Sequence, residues 1–393
     1  MAPSARPSVA VSSVERPDPR RTSLERVLAA NAEAWRYFTL PGLAERAREH
    51  LAKRGIDVRA LESEAGRPLA GHTPWSETGL VEHLCRRGFS VEELVDAGWA
   101  SRHLDGTLAD RYRRRLMIPV RDTEDRVVGV YGRDLTGRAN AKYLNTPDTA
   151  VFNKGAALYR PSSPALNRHA TVLVCEGSLD ALAIATTAAS AGRSALYAPV
   201  SPSGTAITIQ QARSVLAIHP GPPVVCGDGD PAGLAATAKW ATTITTQGRE
   251  CLATLLPAGA DPADWLERRG TEGLVAFTRP GRLLPGSTPP LRPLPAGRVV
   301  AGALCADALG RGTSPRQVLK AVVPRLGALG VHLPSSDAQA RFADAAAGAL
   351  AEHGLGPDGW LARRVRAAID AGSSAGRGRE GVAGSTPGNQ VAL

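Results

Sequence analysis

The chain has 393 residues, enough for about two or three domains with cores of their own. Aromatic residues are sparse at 4 %, so those cores must be built mainly from Ala, Val and Leu. Lys and Arg outnumber Asp and Glu by 47 to 37, a net charge of +10 that favours a polyanionic partner, nucleic acid ahead of a membrane surface.

Residues 1–22 carry Pro, Ser and charge without periodicity and read as a disordered leader, not as a signal peptide or spanning helix. From Ser23 to about residue 100 the apolar spacing is helical: Leu24, Val27 and Leu28, then Leu43, Ala44 and Leu51, then Leu80, Val81 and Leu84. Gly55, Gly88 and Gly98 stand where left-handed caps would end those helices. Between about 105 and 160 the pattern turns to short, strongly basic β segments, RLMIPVRD, RVVGVYGRD and AKYLNTP. Residues 23–165 are therefore read as a helical and basic α+β subdomain.

From 166 to 277 the buried strands TVLVC, SALYAPV, PPVVCGD and CLATLLP alternate with helices such as SLDALAIATTAAS, which predicts an α/β domain with a parallel sheet. Residues 278–297 read as a Pro/Gly-rich linker and 298–372 as a helical C-terminal region. Its apolar spacing, including Val299, Leu304, Leu319 and Leu326, suits a small core. Residues 373–393 read as a disordered Gly/Ser-rich tail. No internal repeat and no G-x-x-x-x-G-K-[ST] phosphate loop occurs, which argues against a fused helicase or ATPase. Five cysteines, Cys85, Cys175, Cys226, Cys251 and Cys305, include no C-x-x-C pair. No zinc site is expected from them, and they read as reduced thiols of a cytoplasmic protein.

In an open parallel sheet, ligands bind beyond the carboxyl ends of the strands. Glu176 follows TVLVC, Asp228 and Asp230 follow VVCG, and Asp261 follows LATLLPAGA, with Asp180 and Asp264 close behind in sequence. Two carboxylates about 4 Å apart repel by about 4 kcal/mol at an effective dielectric near 20, so a cluster of them calls for a divalent cation. Mg²⁺ takes a few carboxylate oxygens together with waters and substrate phosphates, the arrangement that phosphoryl chemistry needs. Taken singly, each acid is as well explained as a helix cap: Asp230 precedes Pro231, and Asp180 lies in a first helical turn. Taken together at the strand exits of one sheet, they favour the cation.

The stretches VLVCEGSLDAL, VVCGDGDPAGLAA and LPAGADPADWL resemble, in order, the acidic motifs of the Toprim domain. RYRRRLMIPVRD, VVGVYGRDL, AKYLNTPDTAVFNKGAALY and APVSPSGTAITIQQA resemble the catalytic core of DnaG-type bacterial primases, so that the likeness spans residues 40–275. It implies a Toprim parallel-sheet domain preceded by a basic α+β subdomain, with a small C-terminal helical region. It implies template-directed synthesis of short RNA primers from NTPs on single-stranded DNA, dependent on Mg²⁺ or Mn²⁺. The catalytic residues implied are Glu176, Asp228, Asp230 and Lys142, with metal ligands drawn from Glu176, Asp228, Asp230, Asp261, Asp180 and Asp264. Arg115, Arg133, Lys142, Tyr143, Asn145 and Lys154 would line the groove for nucleotide and template. Arg113 and Arg114 read individually as exposed charge.

Three departures from the family pattern stand out. No zinc-binding domain precedes the core. The late motif reads Asp261-Pro262-Ala263-Asp264 where many relatives carry D-P-D, so either Asp264 substitutes or one ligand is missing. No recognisable helicase-interaction domain follows, which suggests a stand-alone or mobile-element primase whose partner is a helicase or a replication-initiation protein. The same motifs also suit a Toprim-type nuclease or a non-catalytic single-stranded-DNA-binding protein. A topoisomerase is disfavoured, because no tyrosine follows Tyr197 to act as a downstream nucleophile.

Overall fold

The structure, a computed structural model, describes residues 22–103, 106–204, 206–279 and 291–383. The leader over 1–21, the linker residues 280–290 and the tail over 384–393 lie outside the described residues.

Helix α1 (Leu24–Phe38) starts where the Ser23 side chain accepts the Arg26 N–H, and it buries Val27, Ala30, Ala34 and Phe38 on one face. Helices α2 (Pro41–Ala52) and α3 (Arg59–Ala65), strand β1 (Gly71–His72) and helices α4 (Gly79–Arg86) and α5 (Val91–Asp96) follow. Gly55, Gly88 and Gly98 adopt φ of 69°, 84° and 76°, the left-handed geometry their positions predict. After the ribbon β2 (Ala100–Arg102) and β3 (Leu108–Asp110) come β4 (Arg115–Arg121), β5 (Val127–Asp134) and β6 (Tyr143–Asn145). These last three join β1 in an antiparallel sheet of order β1-β4-β5-β6. Strand β4 is buried on both faces: Leu116, Ile118 and Val120 belong to the core shared with the α/β domain, while Met117 packs with Phe38 and Trp99.

The α/β domain contains β7 (Leu158–Tyr159), β8 (Thr171–Cys175), α6 (Ser178–Ser190), β9 (Tyr197–Pro202), α7 (Ile209–Ile218) and β10 (Val224–Gly227). It continues through α8 (Pro231–Thr245), β11 (Leu252–Leu255) and α9 (Pro262–Ala276) to the edge strand β12 (Leu294–Pro295). The sheet order is β12-β11-β10-β8-β9-β7, with the four central strands parallel. The two edge strands are antiparallel and only two residues long, an arrangement that strand periodicity does not reveal. Along β8, Leu173 and Cys175 face one core while Val172 and Val174 face the other, which is why its sequence is apolar throughout.

Among the described residues, four C-terminal helices follow: α10 (Ala296–Gly310), α11 (Pro315–Gly330), α12 (Ser336–Glu352) and α13 (Asp358–Ala383). Their core is not a separate one, because Val299, Val322, Phe342 and Leu361 share a cluster with Val172, Val225 and Trp240 of the α/β domain. The Pro/Gly-rich stretch is correspondingly shorter than its composition suggests. Leu291 is buried, Leu294 pairs with Ala253, and α10 begins at Ala296. Helix α13 likewise continues to Ala383, through residues that composition alone assigns to a disordered tail. Among the described residues no helix is long and apolar enough to cross a membrane.

Candidate active site

Parallel strands that share a register deliver their following residues to one sheet edge. Cys175 of β8 lies beside Cys226 of β10, so Glu176 and Asp228 emerge side by side. The Asp228 backbone N–H donates to Glu176 Oε1 at 3.0 Å. The tight approach depends on glycine, because a Cβ at Gly233 would stand 2.7 Å from Glu176 Oε1 and 2.3 Å from the Asp228 carbonyl oxygen. At Gly229 a Cβ would meet the Pro257 carbonyl oxygen at 1.9 Å. Gly229→Ala should therefore cost about 3 kcal/mol or more of unfolding free energy, since a backbone atom cannot yield as a side chain can; chemical denaturation measures it.

Asp230, Asp261 and Asp180 lie near enough to this pair for charge to be felt among them. Asp230 caps α8, with Oδ1 accepting the Gly233 N–H at 2.7 Å, and Asp261 caps α9 by accepting the Asp264 N–H at 2.7 Å. Asp180 is buried in the first turn of α6 and accepts the Ala263 N–H at 3.4 Å. Burial, with the nearby charges of Asp261 and Asp228, pushes its carboxyl up to about 8. Asp228 is half-buried and is pushed up to about 7, first by desolvation and then by Glu176, Asp261 and Asp230, against the pull of Lys142. Its Oδ1 is buried and has no hydrogen-bond partner among the described residues. An acceptor left unsatisfied among like charges marks a place for a cation.

Asp230 and Asp261 thus cap helices, while like charge gathers around Asp228. Among the described residues no three Asp, Glu, His or Cys side chains converge as a metal cage. The six acids therefore do not form one ligand sphere. Asp228 and Glu176 suit a magnesium ion that draws its other ligands from water and phosphate oxygens. Asp264, considered above as a substitute ligand, faces Arg268 at 4.0 Å, while the buried Ala263 stands against Asp180.

The antiparallel sheet supplies the opposite charge. Lys142 is exposed and lies close enough to Asp228 to stabilise its carboxylate. Arg133 donates from Nη1 to Tyr143 Oη at 2.7 Å and also lies over the ring, 5.3 Å from its centroid. Asn145 donates to the Ser203 carbonyl oxygen at 2.9 Å, and the Tyr131 hydroxyl pairs with that of Ser203, so β5 and β6 are pinned to the end of β9. Lys154 is exposed, and its chain crosses Gly204, where a Cβ would stand 2.8 Å from its Cε.

Arg115 is placed differently from the groove position expected for it. It is buried, and its Nη1 donates to the carbonyl oxygens of Gly132 at 2.8 Å and Ala141 at 3.2 Å. The Ala141 carbonyl immediately precedes Lys142, so Arg115 braces the segment that carries the lysine. Arg115→Met should leave those carbonyls unsatisfied, at about 2–3 kcal/mol. Nucleotide affinity should also fall, which equilibrium binding of an NTP measures.

Between the two sheets lies a cleft of about 550 Å³, lined by Tyr131, Tyr143, Asn145, Glu176 and Gly177 and walled by Ala232, Ala235, Ala236 and Lys239 of α8. The α8 wall escaped sequence reading, although its i, i+3, i+4, i+7 spacing was visible, because alanines at that spacing also describe an ordinary core face. A larger hollow of about 710 Å³, between β11 and helices α10 and α12, is lined by none of the acids.

Residues 39–163 match the family described as DNA primase catalytic core, N-terminal domain, and residues 173–266 match a Toprim-like family. The DNA primase of Deinococcus radiodurans is 33 % identical over 241 residues, covering 60 % of this chain and 40 % of its own length. That of Halalkalibacterium halodurans is 29 % identical over 228 residues, covering 57 % and 36 %. The chain thus spans well under half the length of the curated relatives it matches. Among solved structures, the RNA polymerase domain of Mycobacterium tuberculosis primase DnaG in complex with double-stranded DNA aligns at a TM-score of 0.60 with 26 % identity. That alignment covers 84 % of this chain and 99 % of the other. A DNA primase domain from Pseudomonas aeruginosa shares the fold at a TM-score of 0.63 and 22 % identity, covering 86 % and 99 %.

Proposed function

Because this chain belongs to the family of DnaG-type primase catalytic cores, with a Toprim domain behind a basic N-terminal domain, we propose that it synthesises short RNA primers from NTPs on a single-stranded DNA template. The observation that carries this reading is the meeting of an acidic set and a basic residue at the exit of the Toprim strands. Asp228, with an unsatisfied buried oxygen, sits beside Glu176, and Lys142 on the other sheet is electrostatically coupled to it.

In nucleotidyl transfer a primer 3′-oxygen forms a bond to the α-phosphorus of the incoming NTP, and the bond from that phosphorus to the bridging oxygen breaks to release pyrophosphate. Magnesium bound by Asp228 and Glu176, with Mn²⁺ as a substitute, would supply charge for the developing negative oxygens. The chain's own residues do the rest. Lys142 offers a fixed cation to the triphosphate, and Arg115 holds the segment that carries it. Arg133 is locked against Tyr143 and presents its remaining donors toward phosphate. The Asn145 contact with Ser203 keeps the basic sheet in register with the Toprim edge, so that nucleotide and acids meet in one geometry. Lys154 at the rim extends the cationic side toward the template.

The test is incubation of the chain with single-stranded DNA, labelled NTPs and Mg²⁺. Template-dependent RNA of a few nucleotides is expected. Cleavage of labelled DNA without NTPs would establish the nuclease reading instead, and DNA binding with no incorporation on several templates would leave a binding protein.

A further inference from the structure

A second concentration of positive charge lies outside the acidic cleft, at the turn between β4 and β5. Arg67, which follows α3, donates from Nη2 to Asp125 Oδ1 at 2.7 Å. Arg121, at the end of β4, donates from Nη1 to the Asp125 carbonyl oxygen at 2.6 Å and lies 3.7 Å from the Asp125 carboxylate. The two guanidinium side chains are only 17 % and 11 % exposed, whereas the one carboxylate they share is 56 % exposed. The other acids of the turn, Asp122 and Glu124, are held by Arg126 at 2.8 and 2.9 Å.

Two buried cations bonded to one solvent-facing carboxylate, with Asp122 of the same turn adding a weaker attraction to Arg121, are left only partly compensated. Burial and the neighbouring Arg67 lower Arg121 to about 10, although Asp125 opposes the shift. The Arg121 guanidinium lies 6.0 Å from the Trp35 ring centroid, so the aromatic ring limits its movement.

Three donors in this nest are unused. Arg67 Nη1, Arg121 Nε and the Tyr159 hydroxyl are buried and have no hydrogen-bond partner among the described residues. Tyr159 is 1 % exposed and is electrostatically coupled to both arginines, which places its hydroxyl in their field. A buried orphan donor costs about 1–3 kcal/mol, so three together demand an occupant. A water must direct two hydrogens of its own, whereas an oxyanion offers acceptors alone, matching both the donor set and the excess charge.

We propose that Arg67, Arg121 and Tyr159 bind a free phosphate-class oxyanion, entered past Asp125, distinct from the acidic cleft. Inorganic phosphate and pyrophosphate share the required chemistry, and the relevance of pyrophosphate rests on the polymerase reading given above. The depth of Tyr159 favours a small ion over the phosphodiester of a polymer. Asp125 acts as an internal competitor. It holds the turn in the left-handed region at φ 62°, and its exposed side chain swings into water when the anion enters.

The experiment is calorimetric and thermal-melt titration of the full chain with sodium phosphate, and separately pyrophosphate, in chelator, against chloride at equal ionic strength. One-to-one binding is expected, with a melting temperature raised by several degrees. Arg67→Gln and Tyr159→Phe should weaken it roughly tenfold. Asp125→Asn, a surface change that tests the site even where a buried variant fails to fold, should tighten it several-fold. Asp228→Asn should bind phosphate like the wild type, so the result stands apart from primer synthesis. Equal affinity in Asp125→Asn and wild type, or the absence of any phosphate-specific shift, would overturn the proposal and leave water as the occupant. Displacement of phosphate by single-stranded DNA would overturn the free-ion assignment.

Discussion

Asp228→Asn should abolish primer synthesis, by at least about a thousandfold, while single-stranded DNA still binds. The substitution keeps the shape and removes the charge. In the native protein that carboxylate has one oxygen buried without a partner and is flanked by Glu176, Asp261 and Asp230, so its charge is tolerable only when a cation offsets it. The same reasoning predicts the opposite effect on stability. In chelator near pH 8 the variant should melt no lower than the wild type, because the amide neither ionises nor repels its neighbours. Primer synthesis at the native rate in Asp228→Asn would remove the acids from the chemistry. Loss of synthesis together with loss of DNA binding would instead indicate a damaged fold.

The second large effect is linkage between pH, stability and divalent metal. The carboxyls of Asp180 and Asp228 titrate at about 8 and about 7 in the fold, against an ordinary value of 3.8. A carboxyl raised on folding favours the protonated protein, so its contribution is fully present below pH 3.8 and is lost as pH rises through 7 and 8. Without metal, the melting temperature should therefore fall by several degrees between about pH 5 and about pH 8. Asp228 contributes less than the buried Asp180, because solvent screens a half-buried group. Added Mg²⁺ should raise the melting temperature more at the upper end of that range, where it need not displace protons. Scanning fluorimetry with and without chelator reads both trends. A melting temperature that is flat with pH and indifferent to Mg²⁺ would contradict the charge cluster itself.

Much of the molecule is legible in one dimension because its determinants are local. The run Val172, Leu173, Val174, Cys175 is apolar without alternation since both faces of β8 are covered, and the change from apolar to acidic at Glu176 marks the strand exit. Gly55, Gly88 and Gly98 announce helix ends because a left-handed cap excludes most side chains. Partnership over long separations is another matter. Glu176 meets Asp228 across 52 residues and Asp180 meets Ala263 across 83, distances over which sheet order, not spacing, decides who is adjacent.

Charge type is written in the sequence, but its direction is not. Arg115 and Lys142 belong to the same basic stretch. Packing turns the first inward onto backbone carbonyls and leaves the second facing Asp228. Arg67, Arg121 and Tyr159 carry no shared motif at all and form a nest only because α3, the β4–β5 turn and β7 are folded together. Residue identity and short-range periodicity therefore determined the elements, the acids at the strand ends and the basic character of the opposing sheet. Only the tertiary structure decided which cations face the cleft and that the C-terminal helices share the Toprim core, because burial is settled by close packing among distant segments.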